Sequence, residues 1–400
     1  MLNITAYVKK YGNRTLNELP FGEVDSLILC QLSYLKFDDI LHIDDMVKLG
    51  VLSGHKNIAS IYLDKRYSKN NRELFEACAS SERYKDIILK NYVNITDRDK
   101  EIQFSALTFI FDDTLSYIAF RGTDDTITGW REDFNMAYKS PIPAQIHALS
   151  YLENIIDLIP GSIYVGGHSK GGNLAVYSVA KCSYSHKQRI KKVYSHDGPG
   201  FRSGIITDYE AAYLKKHLEK SVPSSSVIGM LLEESGSFEI VDCRGFSFMQ
   251  HNPFNWAIRG HRFKKDKSIT RSAYVGEESI NKWVMDMSEE ELKTFVETLF
   301  ELFDIAGISN VNTFYDNTTE SIIKIIKAAG SIDEDRRQLM NQFFKRLVYQ
   351  TRPSAQDMNE LKLFDNTDYM KDGKARLKKE FKNGVRLLKD YFNRYKPKDQ

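Results

Sequence analysis

Residues 163–175, Ile-Tyr-Val-Gly-Gly-His-Ser-Lys-Gly-Gly-Asn-Leu-Ala, constrain the fold of this chain more than any other stretch. A short β-branched and aromatic run ends in glycines around a serine, and a helical Ala/Leu/Val/Tyr pattern follows at once. Gly167-His168-Ser169-Lys170-Gly171 is a G-x-S-x-G pattern. At this Gly and Ser content the bare pattern is expected about 0.1 times by chance, so the strand before it and the helix after it carry the weight. Side chains two before and two after the serine would collide across so tight a bend, and Gly167 and Gly171 remove them. Gly172 allows close helix–strand packing. The new helix aims its free N–H groups at the serine, favouring negative charge there. The competing readings are a Gly-rich turn with an incidental serine and a phosphate-cradling loop; the second lacks the G-x-x-x-x-G-K-[ST] spacing.

The surrounding pattern is α/β. Strand-like runs at 102–111, 115–120, 162–165, 190–195, 226–230 and 238–242 alternate with amphipathic runs at 23–36, 143–158, 171–182 and 208–220. The first two strand runs flank Asp112-Asp113-Thr114 and predict a hairpin. The alternation predicts a mostly parallel sheet covered by helices on both faces. Residues 1–265 are therefore expected to form one catalytic domain, with about the first 20 as an arm packed on it. From 266 to 400 the pattern turns helical. Ser288 and Glu291 have capping-box spacing, and Leu292, Phe295, Val296, Leu299, Phe300 and Phe303 mark one buried face. Ile322, Ile323 and Ile326, then Leu339, Phe343 and Leu347, predict two more helices in this C-terminal extension.

A serine nucleophile needs a base, and the base an orienting acid. Chains with this bend usually run Ser, acid, His. Of the later histidines, His217 lies in a charged helix and His186 in a polar connection. His251, in the loop Met249-Gln250-His251-Asn252-Pro253 after a strand run, is the leading base and His261 the alternative. Asp197, in the loop His196-Asp197-Gly198-Pro199-Gly200-Phe201 at a strand's carboxyl end, is the leading acid. Asp242 and Glu234 are alternatives, and His196 adjoins Asp197 too closely to be its partner. Two backbone donors for an oxyanion are expected at Lys170, directly after the serine, and at Thr123 in Phe120-Arg121-Gly122-Thr123-Asp124-Asp125. The Lys170 ammonium opposes the helix dipole, and the expectation is that it is either solvated or draws anionic substrates.

Taken together these residues resemble the class 3 lipases of the α/β-hydrolase superfamily. More closely, they resemble Mbeg-like proteins, bacterial cytoplasmic lipase-like hydrolases of unknown function. The likeness rests on Phe21 to Asp25 with Leu32-Ser33-Tyr34, Phe120 to Asp125 with Gly129-Trp130, and Glu132 to Asn135. It continues through Gly167 to Asn173, Asp197 to Phe201, Val227 to Leu232, and Gln250 to Pro253, covering most of 1–265. The resemblance implies Ser169 as nucleophile, His251 as base and Thr123 as oxyanion donor. Class 3 lipases carry their acid in a D-x-V-P segment; here Lys220 stands at that place before Val222-Pro223. Asp197 instead resembles the acid of pancreatic-type lipases, one strand earlier.

These readings imply a serine hydrolase of carboxylic esters, with lipid or lysophospholipid esters preferred and no cofactor or metal required. A non-catalytic scaffold, or an acyltransferase or thioesterase with the same triad, are the alternatives. Composition excludes other classes. Lys+Arg 56 against Asp+Glu 54 leaves a net charge of +2, which offers no concentrated basic surface for nucleic acid. No apolar stretch predicts a membrane span or a signal peptide. Cys30, Cys78, Cys182 and Cys243 are scattered, with neither metal nor disulfide spacing, as expected of a cytoplasmic protein. Residues 374–400 hold ten Lys/Arg against three Asp/Glu, expected as a solvated helix or a contact with an anionic membrane surface.

Overall fold

Eight strands lie across one sheet in the order in which the chain makes them. They are β1 (Met46–Lys48), β2 (Ile88–Asp97), β3 (Ile102–Ile110), β4 (Leu115–Phe120), β5 (Ser162–His168), β6 (Ile190–His196), β7 (Leu218–Pro223) and β8 (Phe238–Val241). The structure is a computed structural model and describes residues 1–349 except 63–66, 227, 233–235, 246–248, 309, 311–320, 322, 323 and 326. β1 to β4 pair antiparallel, and β4 to β8 pair parallel. The β3–β4 hairpin turns at the polar residues 112–114, where the Asp112 carboxylate accepts from the Thr114 and Leu115 amides. All nine residues of β3 and all six of β4 are buried, as expected of strands covered on both faces.

Two compact units divide the chain: Met1–Asp124 with Lys139–Ala273, and Asp125–Tyr138 with Tyr274–Gln400. In the first, the helices are α1 (Ile4–Tyr11), α2 (Glu23–Leu32), α3 (Leu49–Leu52), α4 (Ser68–Ala79), α6 (Pro143–Ile155), α7 (Lys170–Lys181), α8 (Tyr184–Arg189) and α9 (Asp208–His217). α5 (Ile127–Asn135) belongs to the second unit with α10 (Arg271–Asp286, beginning in the first), α11 (Glu289–Ile305) and α12 (Glu334–Tyr349).

Register assigns the covering helices to faces. Phe109 pairs with Tyr117, whose hydroxyl meets Ser26 of α2 at 2.6 Å. The neighbouring pair, Thr108 and Ile118, points the other way, and Thr108 bonds Tyr151 of α6 at 2.8 Å. The α2 face carries a large core: Tyr7, Leu27, Ile28, Phe75, Phe109, Trp256 and Phe263 are buried in it with the N-terminal segment. In the second unit, the expected face of α11 is buried, and the Ser288–Glu291 capping box forms. Phe134 of α5 packs edge-on to Phe300 at 5.8 Å, and Trp283 edge-on to Phe295 at 5.0 Å.

Two expectations fail. The strand placed at 226–230 is a single helical turn at Ile228–Met230, and the strand lies at Leu218–Pro223, where α9 was expected to continue. The run Leu218-Glu219-Lys220 resembled a helix surface because Glu219 is half-exposed and pairs with Lys192 on β6. The rest of the strand, Lys220–Pro223, is buried. Ile322, Ile323, Ile326 and the basic residues 374–400 lie outside the described residues.

A buried ion pair holds the N-terminal segment to α2. Arg83 Nε and Nη2 donate to the Asp25 carboxylate at 2.7 and 2.8 Å, and Tyr84 also donates to it. Asp25 accepts from the Gly22 amide at 2.9 Å, and Arg83 Nη1 donates to the Leu19 carbonyl at 2.8 Å. Both side chains are fully buried, so removing one strands a charge in the core. Arg83→Met should therefore lower stability by about 3–5 kcal/mol in denaturant titrations; a loss below about 1 kcal/mol would show that the pair is dispensable.

Candidate active site

Ser169 sits at the bend between β5 and α7, with φ 60° and ψ −133°. Such a conformation costs a non-glycine residue about 1–3 kcal/mol and holds its side chain clear of the sheet. The glycines explain how so sharp a bend closes. A Cβ on Gly167 would stand 2.0 Å from the Gly171 carbonyl carbon, and one on Gly171 would stand 2.1 Å from the Phe120 oxygen. The Ser169 amide donates to the His196 carbonyl at 3.0 Å, continuing the β5–β6 ladder into the bend. The serine is partly exposed.

Asp197 follows β6 directly and is fully buried. Its φ of 53° is left-handed, tolerated by aspartate better than by most residues. Its amide donates to Ser221 on β7 at 2.8 Å. Its carboxylate gathers three donors: the Ser226 hydroxyl at 2.8 Å, the Gly229 amide at 3.0 Å, and His251 Nδ1 at 2.6 Å. His251 keeps 13% of its side chain exposed. The structure thus brings Asp197 and His251 together, 54 positions apart in the sequence. Asn173 on α7 fixes the Asp197 loop by donating to the Pro199 and Gly200 carbonyls at 3.2 and 2.8 Å, and Gln145 of α6 orients Asn173 at 2.8 Å.

The loop after β4 comes up against the bend. A Cβ on Gly122 would lie 3.1 Å from that of Ser169, and Thr123 is the next residue of that loop. Lys170 opens α7. Its side chain departs from both expectations. It is 1% exposed, and its ammonium donates to the Gln103 carbonyl and side-chain oxygen at 2.9 and 2.8 Å. A buried charge held by β3 neither meets solvent nor reaches out to an anionic substrate.

The alternatives are engaged elsewhere. His261 is exposed, edge-on to Tyr11. His186 pairs with Asp157, His217 stacks on Tyr213, and Asp242 pairs with Lys264. Glu234 lies outside the described residues. His196 is buried on the α2 face with Nε2 2.8 Å from Ser26 Oγ. Four contributors carried no sequence assignment: His168, Tyr34, Ser226 and Gly229. His168, Tyr34 and Gly229 stood within the stretches of family likeness, without a role, and Ser226 within the run expected as a strand. Among the described residues no group of three or more His, Cys, Asp or Glu could hold a metal. The four cysteines are buried and unbridged, and burial pushes the Cys30 thiol up to about 12, so it stays protonated.

A mixed sheet whose parallel half ends in a strained strand–helix bend at Ser169, with an Asp–His pair formed by later loops, has the architecture of the α/β-hydrolases. The Mbeg1-like family model matches residues 78–301, more than half of the chain, and the protein belongs to that family. The match runs beyond the sheet into α10 and α11. No curated protein matches the sequence. Among solved structures, the crystal structure of M37 lipase is similar at 16% identity over 52% of this chain and 70% of that one, with a TM-score of 0.33.

Two predictions follow from the packing around Asp197. A Cβ on Gly229 would stand 2.3 Å from Asp197 Oδ1, so Gly229→Ala should destabilise by about 1–3 kcal/mol in denaturant titrations. An unchanged stability would show that the carboxylate tolerates displacement. Burial pushes the pKa of His196 down to about 3, whereas an unfolded histidine titrates near 6.5. Between those values the unfolded chain binds a proton that the folded chain does not. Stability therefore falls as pH drops through that window, by up to about 1.4 kcal/mol per unit. His196→Asn should flatten this decline in melting temperature against pH; an identical slope would assign it to other groups.

Proposed function

We propose that the protein is a serine hydrolase of carboxylic esters, with lipid or lysophospholipid esters as the preferred class. The observation that carries this reading is the 2.6 Å bond between buried Asp197 and His251, in a chain whose Ser169 is strained and partly exposed. With Asp197 bonded to Nδ1, the other ring nitrogen of His251 is left for the serine proton. Ser169 Oγ attacks the ester carbonyl carbon while His251 takes its proton. The amides of Lys170 and Thr123 stabilise the oxyanion. The alcohol leaves with the proton from His251, and water, deprotonated by the same imidazole, releases the acid from Ser169. Among the described residues no helix is long and apolar enough to cross a membrane. A reducing, cytoplasmic setting accords with four buried, unbridged thiols.

An ester panel tests the reading. Ser169→Ala and His251→Ala should reduce hydrolysis to background, and Asp197→Asn should cost about 10²–10⁴-fold in kcat. Full rate in Ser169→Ala would end the proposal, and full rate in Asp197→Asn would remove the acid from it. Products with water against alcohol acceptors distinguish hydrolysis from acyl transfer.

A further inference from the structure

We propose that His168, the residue between Gly167 and Ser169, is a positioning residue that holds the His251 loop against the bend, with Tyr34 orienting it. The inference rests on the ester-hydrolase reading and adds a residue to it. The G-x-S-x-G pattern makes no demand at its second position. Here that position carries a histidine only 4% exposed, directed to the α2 face at the end of β5. Its Nε2 lies 2.8 Å from the backbone carbonyl oxygen of His251. Its Nδ1 lies 3.2 Å from the Tyr34 hydroxyl.

Chemistry assigns the proton. A carbonyl oxygen only accepts, so Nε2 carries the hydrogen and donates to it. In the neutral ring Nδ1 is then an acceptor for the Tyr34 hydroxyl, which also lies 3.4 Å from the His168 carbonyl oxygen, a second acceptor. The ring also packs beside that of His251, with centroids 4.5 Å apart. The preceding carbonyl, of Gln250, accepts from the Trp256 indole N–H at 2.9 Å, and the Gln250 side chain accepts from the Ser225 amide at 2.7 Å. Two successive carbonyls of the base loop are therefore gripped by ring N–H donors. Of these two donors, His168 is the one bonded directly to Ser169. One side chain thus sets the spacing between the serine and the loop that bears its base. Near-attack geometry is sensitive to such spacing, and an error of about 1 Å costs on the order of 10²-fold.

The test is the rate at which a fluorophosphonate inactivates the full-length protein, resolved into kinact and KI, with melting temperatures recorded alongside. His168→Ala should lower kinact by about 10- to 100-fold and leave KI nearly unchanged. His168→Gln places a carboxamide N–H at the reach of Nε2 and should restore most of the rate. His168→Asn, with the same group one methylene shorter, should stay slow. This Gln/Asn pair carries the test if the alanine variant fails to fold, since both are polar and similar in bulk. Tyr34→Phe should lower kinact by a smaller factor. A wild-type rate in His168→Ala, or equal rates in the Gln and Asn variants, overturns the positioning role while the serine remains reactive. A wild-type protein that the probe never labels at Ser169 defeats the ester-hydrolase reading itself, and this inference with it.

Discussion

The closure of the bend between β5 and α7 governs everything built around it. Helix and strand meet so closely that Gly167 and the backbone of Gly171 leave no space for a single extra carbon. The strain of that closure falls on Ser169, the one residue of the bend with a left-handed φ. Such strain persists only where surrounding contacts over-determine it. Those contacts are visible: Ser169 is tied to β6 through its amide, and α7 is tied to α6 and to the Asp197 loop through Asn173.

The parallel half of the sheet then performs the assembly. Its strands all end at one edge, so the residues that follow β4, β5 and β6 emerge side by side: Gly122 and Thr123, Ser169, and Asp197. Asp197 follows β6 directly, and Lys220 lies on the neighbouring β7. The Asp197 carboxylate is surrounded by donors from 226, 229 and 251. From β7 Asp197 takes one backbone bond, its amide donating to the Ser221 carbonyl.

Much of this was legible in the sequence because glycine spacing and hydrophobic period are local signals. The segment 163–175, the hairpin at 112–114 and the α11 face all appeared where their patterns put them. Other features depended on long-range packing and were not legible. β7 was hidden because its charged first half pairs with Lys192 on a neighbouring strand, a contact no local pattern reports. Lys170 was misjudged because an ammonium after a serine looks solvent-facing, and only the tertiary position of Gln103 shows it buried. His168 drew no attention because the elbow pattern leaves its position undefined.

The affiliation of α5 has a consequence for how the chain is made. Phe134 lies between β4 and β5 in sequence, yet its aromatic neighbours stand on α11, after the last strand. During vectorial synthesis the ribosome releases this segment well before Glu289–Ile305 exists. Its apolar side must wait through the translation of half the sheet, exposed to whatever chaperones attend the nascent chain. The second unit is thus completed only by chain ends that emerge late, and a polypeptide cut short before them carries an orphaned hydrophobic insert in its middle.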